Sequence, residues 1–222
     1  MLPKVILHNT MSLDGSLTGF EPNLEIHYRI ARSYQADVHF VGSGTAKTGV
    51  EMFMETVPPE EAADFVKPAS PADNHFWVIP DTRGILKGLL HVFRRSEYCP
   101  ALVILVSKKT SSEYISYLEE RNYNYLVAGD DHVDYEKALE MLSERYNVNT
   151  VLTDAGGTLN SILLGQGLVN EISFLVAPTV VGKAGANVFG TFEPGKNGIS
   201  LELLKNEVVD ANYVWLVYKV LY

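Results

Sequence analysis

Short runs of β-branched and other apolar residues alternate along the chain with stretches whose apolar residues recur at helical spacing. The runs predict strands at Lys4–Asn9, Val38–Val41, Trp77–Ile79, Ala101–Val106, Tyr125–Val127, Val151–Thr153, Glu171–Ala177, Leu201–Val208 and Tyr213–Val220. The helical spacing predicts helices over 24–36, 112–121 and 135–146, and a further helix that begins at Thr158. Strands that alternate with helices are typical of α/β proteins with a largely parallel sheet.

The predicted strands are of two kinds. The run at 101–106 (A-L-V-I-L-V) is apolar throughout, which indicates a central parallel strand covered on both faces. The last two strands alternate apolar and polar residues, which indicates an antiparallel pair at an edge. We therefore expect a mixed sheet that is mostly parallel, with an antiparallel pair at the C-terminus and helices on both faces. A chain of 222 residues is long enough for one sizeable core, so we expect a single domain over 1–222.

The stretch Thr150–Gly167 shows how a strand could present a ligand site. A β-branched run enters an acidic and glycine-rich turn, Asp154-Ala155-Gly156-Gly157, and Thr158 then begins an apolar helix. A helix N-terminus of this kind directs backbone N–H groups and a positive dipole end at an anion. Because the Asp154 carboxylate would repel a phosphate, we expect it to accept hydrogen bonds from a substrate beside the anion.

Further small turns follow other predicted strands. Ligands of open α/β sheets bind beyond the carboxyl ends of the strands, so turns at Gly42, Asp81, Ser107 and Gly156 predict a long groove suited to a dinucleotide. The stretch 42–49 (G-S-G-T-A-K-T-G) matches neither the dinucleotide fingerprint nor the P-loop, and it is either a tight turn or a phosphate contact. Arg83 is either a surface residue of a plain turn or a group that grips the 2′-phosphate of NADP.

Charge and cysteine content limit the partners that we expect. With 18 basic and 27 acidic residues the net charge is −9, which argues against a nucleic-acid partner. No apolar run reaches the ~18 residues of a membrane span. The N-terminus enters a strand directly, and the one cysteine, Cys99, fits a reducing cytoplasm. The cluster Asp130–Asp134 could hold a metal, but carboxylates before a helix more often cap it, so we predict no metal site.

Four stretches, in this order, resemble the motifs of the pyrimidine reductase family of riboflavin biosynthesis. They are Met11–Gly15 (M-S-L-D-G), Val41–Thr45 (V-G-S-G-T), Asp81–Arg83 (D-T-R) and Asp154–Leu159 (D-A-G-G-T-L). The downstream segments 167–171 and 177–178 fit as well, so the resemblance spans nearly the whole chain.

The resemblance implies a dihydrofolate-reductase-like fold, a homodimer, and hydride transfer from NADPH to a heterocyclic or ring-opened sugar substrate. It implies cofactor contacts by Met11 (through its backbone), Gly42, Ser43, Gly44, Thr45, Thr82, Arg83, Ser107, Gly156, Gly157, Thr158 and Leu159. Asp154 takes the place of a family glutamate that faces the substrate, and Asp14 is a second candidate catalytic residue, beside the nicotinamide.

The chain also departs from the family pattern. The family usually continues after its glycine-threonine turn with Asp-Asp-Pro and then an arginine near the substrate phosphate, whereas this chain continues as A-K-T-G-V-E-M over 46–52. Lys47, Arg29 and Arg32 are candidates for the missing cation. We expect a reductase for a riboflavin-pathway aminopyrimidine ribosyl phosphate, such as 5-amino-6-(5-phosphoribosylamino)uracil. The alternatives are a related pteridine or dihydrofolate reductase and a non-catalytic nucleotide-binding protein of the same fold.

Overall fold

The computed structural model describes residues 1–66, 75–99, 101–190, 192–193 and 198–222. Its strands and α-helices, in chain order, are β1 (Lys4–Ser12), α1 (Leu24–Ser33), β2 (Val38–Phe40), α2 (Ser43–Phe53), β3 (Phe76–Pro80), α3 (Leu90–Arg94), β4 (Leu102–Val106), α4 (Ser112–Glu120), β5 (Asn124–Val127), α5 (Tyr135–Tyr146), β6 (Thr150–Thr153), α6 (Gly157–Gly165), β7 (Glu171–Ala177), β8 (Ser200–Val209) and β9 (Tyr213–Leu221). Across these ranges, no helix is both long and apolar enough to cross a membrane.

The chain divides into two compact units, of which the first contains 1–3 and 37–149 and the second contains 4–36 and 150–222. Strands of the first unit follow the order β5-β4-β3-β2 and are all parallel. In the second unit the order is β6-β1-β7-β9-β8, with β6, β1 and β7 parallel and the C-terminal hairpin antiparallel. The predicted mixed sheet, mostly parallel with an antiparallel C-terminal pair, is confirmed. The single domain over 1–222 stays a prediction.

The core of the first unit lies on both faces of its parallel strands. One face of β4 contributes alternate residues to a buried cluster with α2, α3 and α4. On the other face, α5 packs through two aromatic pairs, Phe40 with Tyr135 and Phe76 with Tyr146, whose ring centroids are 6.0 and 5.3 Å apart. Strands buried on both faces can be apolar throughout, which explains the continuous run of β4.

Helices also lie on both faces of the second unit. Ile26 and Ile30 of α1 pack on Leu175 and Ala177 of β7 in one buried cluster. Neighbouring residues of β1 point to opposite faces, so that His8 stacks on His27 of α1 while Asn9 bonds to Asn160 of α6. The predicted helices on both faces are therefore confirmed within each unit.

One of the two interpretations of the stretch 42–49 was wrong. The stretch 42–49 is not a tight turn, because Ser43 begins the eleven-residue helix α2 directly after Gly42. Gly44 and Gly49 lower the intrinsic helix propensity of this segment and interrupt its apolar pattern. Ala46 and Val50, one helical turn apart, are its buried residues, and their spacing was the signal for this helix.

Candidate functional site

Strand β1 extends beyond its neighbour β6 in the second unit. The ladder to β6 pairs Lys4–Leu7 with Thr150–Thr153 and ends there, whereas the ladder to β7 continues to Ser12. The chain after β6 turns away as Asp154–Gly157, and Asn9 Nδ2 donates to the Ala155 carbonyl at 3.1 Å. The half-buried Met11 therefore lies on a strand segment that pairs with β7 but not with β6, as a backbone contact to a ligand would require.

Two long helices begin without a capping side chain. Gly42 of α2 and Gly156 of α6 make no side-chain hydrogen bond to the helix, and neither first turn carries an acidic residue. The caps of α1, α4 and α5 instead accept a hydrogen bond from their helix, through Asn23, Ser111 and Asp134 respectively. A helix end that carries no neutralising or capping group favours an anion from outside the chain. These helix ends contain the residues of 42–45 and 156–159, for which the resemblance implies cofactor contacts.

The glycines at these two helix ends have different surroundings. A Cβ added to Gly44 would meet no heavy atom within 4 Å, so the backbone at the start of α2 faces open space. A Cβ added to Gly157 would lie 2.3 Å from the Asn187 carbonyl oxygen, which requires glycine there for close backbone packing. Gly157 is thus needed by the fold itself, whatever else the turn binds.

Asp154 lies at the end of β6, next to a buried histidine of α1. The His27 Nε2 atom is 3.6 Å from Asp154 Oδ2, and the two side chains are 9% and 15% exposed. Thr10 Oγ1 lies 3.0 Å from the other ring nitrogen of His27. Burial, and then the Asp154 charge, raises the pKa of the adjacent Tyr28. His27 and Thr10 were not predicted as site residues from the sequence, although a histidine between two core isoleucines of a helical stripe was the available signal.

The structure places Asp14 at the tip of a loop that is closed by hydrogen bonds. Its carboxylate accepts from Ser12 Oγ at 2.6 Å, from the Val181 N–H at 3.1 Å and from the Gly182 N–H at 2.6 Å. These donors lower the pKa of Asp14 to about 2, the Ser12 hydroxyl contributing most. Asp14 therefore joins the loop after β1 to the loop after β7, and its catalytic role beside the nicotinamide stays a prediction.

The three residues of the turn after β3 differ in how deeply they are buried. Asp81 is buried and accepts hydrogen bonds from the Ile85 and Leu86 N–H groups, both at 3.0 Å. The Tyr114 hydroxyl donates to it at 2.8 Å, and burial, with Asp81 as the second cause, raises the pKa of Tyr114. Asp81 thus fixes the turn, while Thr82 is half-buried and Arg83 is exposed. Arg83 forms no ion pair within the described ranges, which leaves its guanidinium available to an anion.

The remaining predicted binding residues differ in burial and in the groups that they contact. Ser107 is buried, and its hydroxyl donates to the Asp131 carbonyl at 3.1 Å. Lys47 is exposed on α2, 3.8 Å from Glu51. Arg29, a second candidate cation, pairs with Asp210 at 2.6 Å. Lys47 is therefore held less tightly than Arg29.

The acidic cluster at 130–134 is accounted for by helix capping and ion pairs. Asp134 accepts from the Lys137 N–H at 3.0 Å and caps α5, which confirms the capping interpretation. Asp130 pairs with Lys108 at 2.7 Å, and Asp131 pairs with Lys109. Within the described part of the chain, no three histidine, cysteine or acidic side chains are grouped as metal ligands.

Comparison with known proteins gives a consistent family. The family model described as the RibD C-terminal domain matches residues 3–215. The 2,5-diamino-6-ribosylamino-4(3H)-pyrimidinone 5′-phosphate reductase of Methanothermobacter thermautotrophicus is 30% identical over 190 residues, which cover 82% of this chain and 81% of that protein. The reductase of the same name from Aquifex aeolicus is 23% identical, over 84% of this chain and 80% of that protein.

Solved structures of pyrimidine reductases share the fold. A pyrimidine reductase-like protein from Corynebacterium diphtheriae superposes with a TM-score of 0.73 at 15% identity, covering 99% of this chain and 92% of that chain. The riboflavin biosynthesis reductase Rib7 of Saccharomyces cerevisiae superposes with a TM-score of 0.67 at 20% identity, covering 99% and 90%. The expected dihydrofolate-reductase-like fold of the pyrimidine reductases is confirmed.

Proposed function

We propose a function for this chain on the premise that it belongs to the RibD C-terminal domain family, to which the resemblance pointed. The chain is an oxidoreductase of the pyrimidine reductase type. Its proposed reaction is the NADPH-dependent reduction of 2,5-diamino-6-ribosylamino-4(3H)-pyrimidinone 5′-phosphate or of the corresponding aminouracil. The observation that carries this proposal is that one turn, 154–157, combines a carboxylate with a helix N-terminus that no side chain caps.

The carboxylate of Asp154 favours the diaminopyrimidinone over the aminouracil. An ionised carboxylate can only accept hydrogen bonds. The 2-amino group and the N3–H of the pyrimidinone are adjacent donors, which match the two oxygens of a carboxylate. The uracil replaces the 2-amino group with a carbonyl, which would face the carboxylate as a second acceptor. A buried acceptor left without a donor costs about 1–3 kcal/mol, so the discrimination should reach about 10-fold or more.

The residues of each unit fit a phosphorylated nicotinamide cofactor. In the first unit, the start of α2 is uncapped, its glycine backbone is open, and Arg83 is exposed and unpaired within the described ranges. In the second unit, the start of α6 is uncapped. Backbone N–H groups at helix ends suit the pyrophosphate, and a guanidinium suits the 2′-phosphate that distinguishes NADPH from NADH. When bound, the cofactor supplies the hydride.

The side chains of this chain contribute binding and orientation. Asp154 would orient the pyrimidine through its ring donors. Holding the reacting carbons close and aligned supplies much of the barrier reduction in hydride transfer. Asp14 would act indirectly, because its carboxylate is engaged in joining the two loops.

Steady-state assays with three substrates test this function. Purified protein with NADPH should reduce the diaminopyrimidinone ribosyl phosphate with the highest kcat/KM, the aminouracil with a lower value, and dihydrofolate not at all. Asp154→Asn should reduce the preference for the diaminopyrimidinone, since an amide presents one acceptor and one donor. Turnover of dihydrofolate alone would replace the proposal with its pteridine alternative, and NADPH binding without turnover of any of the three would favour the non-catalytic one.

The proposed assembly is a homodimer in the cytoplasm. The strand β8 pairs on one side with β9, and it carries exposed Leu201, Leu203, Leu204 and Val208. Exposed apolar residues on an edge strand favour burial against another chain. Light scattering at micromolar concentration should give the mass of two chains, and the double variant Leu203→Glu/Leu204→Glu should give one. The cytoplasmic location stays a prediction.

A further inference from the structure

We propose that His27 is a positioning residue for Asp154, with its ring held so that Nε2 faces the carboxylate. This inference rests on the proposed function, in which Asp154 binds the substrate. It assigns a purpose to a group of buried polar side chains on β1, α1 and β7 that the fold alone does not require.

His27 occupies a position that the fold would otherwise give to an apolar side chain. It lies on the buried face of α1 between Ile26 and Ile30, and it is only 7% exposed. Burying an imidazole is costly unless its ring nitrogens find partners. Both have partners here, because Thr10 Oγ1 lies 3.0 Å from Nδ1 and Asp154 Oδ2 lies 3.6 Å from Nε2.

A second histidine fixes the plane of the His27 ring. His8 is fully buried and stacks on His27 with the ring centroids 4.5 Å apart and the planes inclined by 25°. Tyr28 packs edge-on against the same ring, with its centroid 4.9 Å away. The His27 ring is therefore confined on several sides, and only a small rotation would be possible without disturbing the core.

Hydrogen bonds hold the ring of His8 in place beside His27. Its Nε2 lies 3.3 Å from the His27 carbonyl oxygen, and its Nδ1 lies 2.9 Å from Ser173 Oγ and 3.2 Å from the Ser173 carbonyl oxygen. The Trp215 indole N–H donates to Ser173 Oγ at 2.9 Å, which completes this series of hydrogen bonds. Burial, with His27 as the second cause, lowers the pKa of His8 to about 3. His8 is therefore a neutral ring that supports the ring of His27, which is the ring in contact with Asp154.

The same bonding pattern orients His27. The Thr10 hydroxyl can donate to Nδ1 while Nε2–H points at the carboxylate, so this tautomer gives Nδ1 a hydrogen bond and Nε2 an electrostatic contact. The separation of 3.6 Å is an ion-pair distance rather than a hydrogen-bond distance, so the contact is electrostatic. It draws Oδ2 toward α1 and restricts the rotamers from which Asp154 can meet a substrate.

The titratable groups that face His27 define a kinetic signature. They are His8 of β1, Asp154 after β6 and Tyr28 of α1 itself. An imidazolium beside a carboxylate favours the ionised carboxylate. Removing the imidazole should therefore move the acid limb of kcat/KM to higher pH. A ring that only fills space would leave that limb unchanged.

Three glutamine and asparagine variants separate the two roles. His27→Gln should lower kcat/KM for the pyrimidine substrate by about 10- to 100-fold, shift the acid limb upward and leave NADPH affinity unchanged. His91→Gln is the matched control, because His91 is also buried but lies in the first unit, where its Nε2 bonds to the Pro58 carbonyl. It should keep both kcat/KM and the pH profile. Loss of activity in Asp154→Asn together with wild-type kinetics in His27→Gln would overturn the inference and leave the proposed function standing.

A measurement that needs no turnover tests the orientation of the His27 ring separately. In ¹⁵N-labelled protein at pH 8, ring nitrogen shifts should show His27 with a protonated Nε2 and an unprotonated Nδ1. Asp154→Ala should remove that preference, whereas His91→Gln should not alter it. A protonated Nδ1 in the wild type would contradict the inference, because the lone pair of Nε2 would then face the carboxylate. This result holds whether or not the protein reduces the proposed substrate, so failure of the proposed function is recognised separately.

Discussion

Asn160 of α6 donates a hydrogen bond from Nδ2 to Asn9 Oδ1 of β1, at 2.9 Å, across 151 positions of sequence. Both amides are buried, and Asn160 is completely so. The same Nδ2 donates to the Val188 carbonyl, and Asn9 Nδ2 donates to the Ala155 carbonyl. The two amides thus tie β1, the turn 154–157 and the start of α6 to one another.

Asn160→Ala should destabilise the protein and loosen the turn. The change leaves Asn9 Oδ1 and the Val188 carbonyl without this donor, and each such buried group costs about 1–3 kcal/mol of unfolding free energy. Urea unfolding with Asn206→Ala as an exposed control should show the loss in Asn160→Ala alone. Equal stability of the two variants would show that water replaces the lost donor.

Alanine at two glycines of α2 should separate helix stability from cofactor binding. A Cβ at Gly44 or Gly49 meets no atom within 4 Å, and both positions are helical. Gly49→Ala should raise the unfolding free energy by about 0.5–1 kcal/mol without changing NADPH affinity. Gly44→Ala should be at least as stable as the wild type but should bind NADPH about 10-fold more weakly, because its methyl group occupies the approach to the N–H groups. Fluorescence titration with NADPH measures the affinity of each variant. Equal affinities of the two variants would show that this helix end does not bind a cofactor phosphate.

Arg83→Ala should weaken NADPH much more than NADH. A hydrogen bond to a charged group contributes about 1.5–3 kcal/mol, so the loss for NADPH should be about 10- to 100-fold. Lys87→Ala provides the control, since Lys87 follows the same turn but pairs with Glu113 at 2.5 Å. Dissociation constants of both variants for NADPH and for NADH test this prediction. If the affinities for NADPH and NADH fall equally in Arg83→Ala, the guanidinium does not bind the 2′-phosphate.

Asp14 should make stability sensitive to acid. Its pKa is lowered from 3.8 to about 2 in the folded chain, so its contribution is complete above about pH 4 and is lost as the pH falls through 2. Thermal unfolding followed from pH 5 to pH 2 should therefore show a shallower acid loss in Asp14→Asn than in the wild type. Glu202→Gln, at an exposed position on β8, should follow the wild-type curve. Parallel curves for all three proteins would show that the two loops separate before Asp14 is protonated.

The sequence predicted the parts of this structure that depend on local patterns. The apolar run of β4, the alternating strands β8 and β9 and the acidic cap of α5 each carry their own signal, and each lies within two residues of its predicted position. Helix α2 was missed because its glycines resemble a turn, although it begins at the predicted phosphate contact.

The candidate site was less predictable because its contacts are distant in sequence. Asp154 could be singled out as a charge in a glycine-rich turn, but nothing local to it indicates His27, which lies on another element. Asp81 illustrates the same limit, since its burial under Tyr114 reflects the packing of α4. Which residues of a motif face the core and which face a ligand therefore had to come from the structure.

Isotope transfer from labelled NADPH would show directly whether the protein passes a hydride to the proposed substrate. The protein would be incubated with 2,5-diamino-6-ribosylamino-4(3H)-pyrimidinone 5′-phosphate and NADPH deuterated at C4 of the nicotinamide, separately on each face. For one of the two labelled cofactors, we expect a product heavier than the substrate by one deuterium and one hydrogen, with the deuterium on the sugar-derived side chain. Unchanged substrate with both cofactors, from protein that binds NADPH, would contradict this expectation.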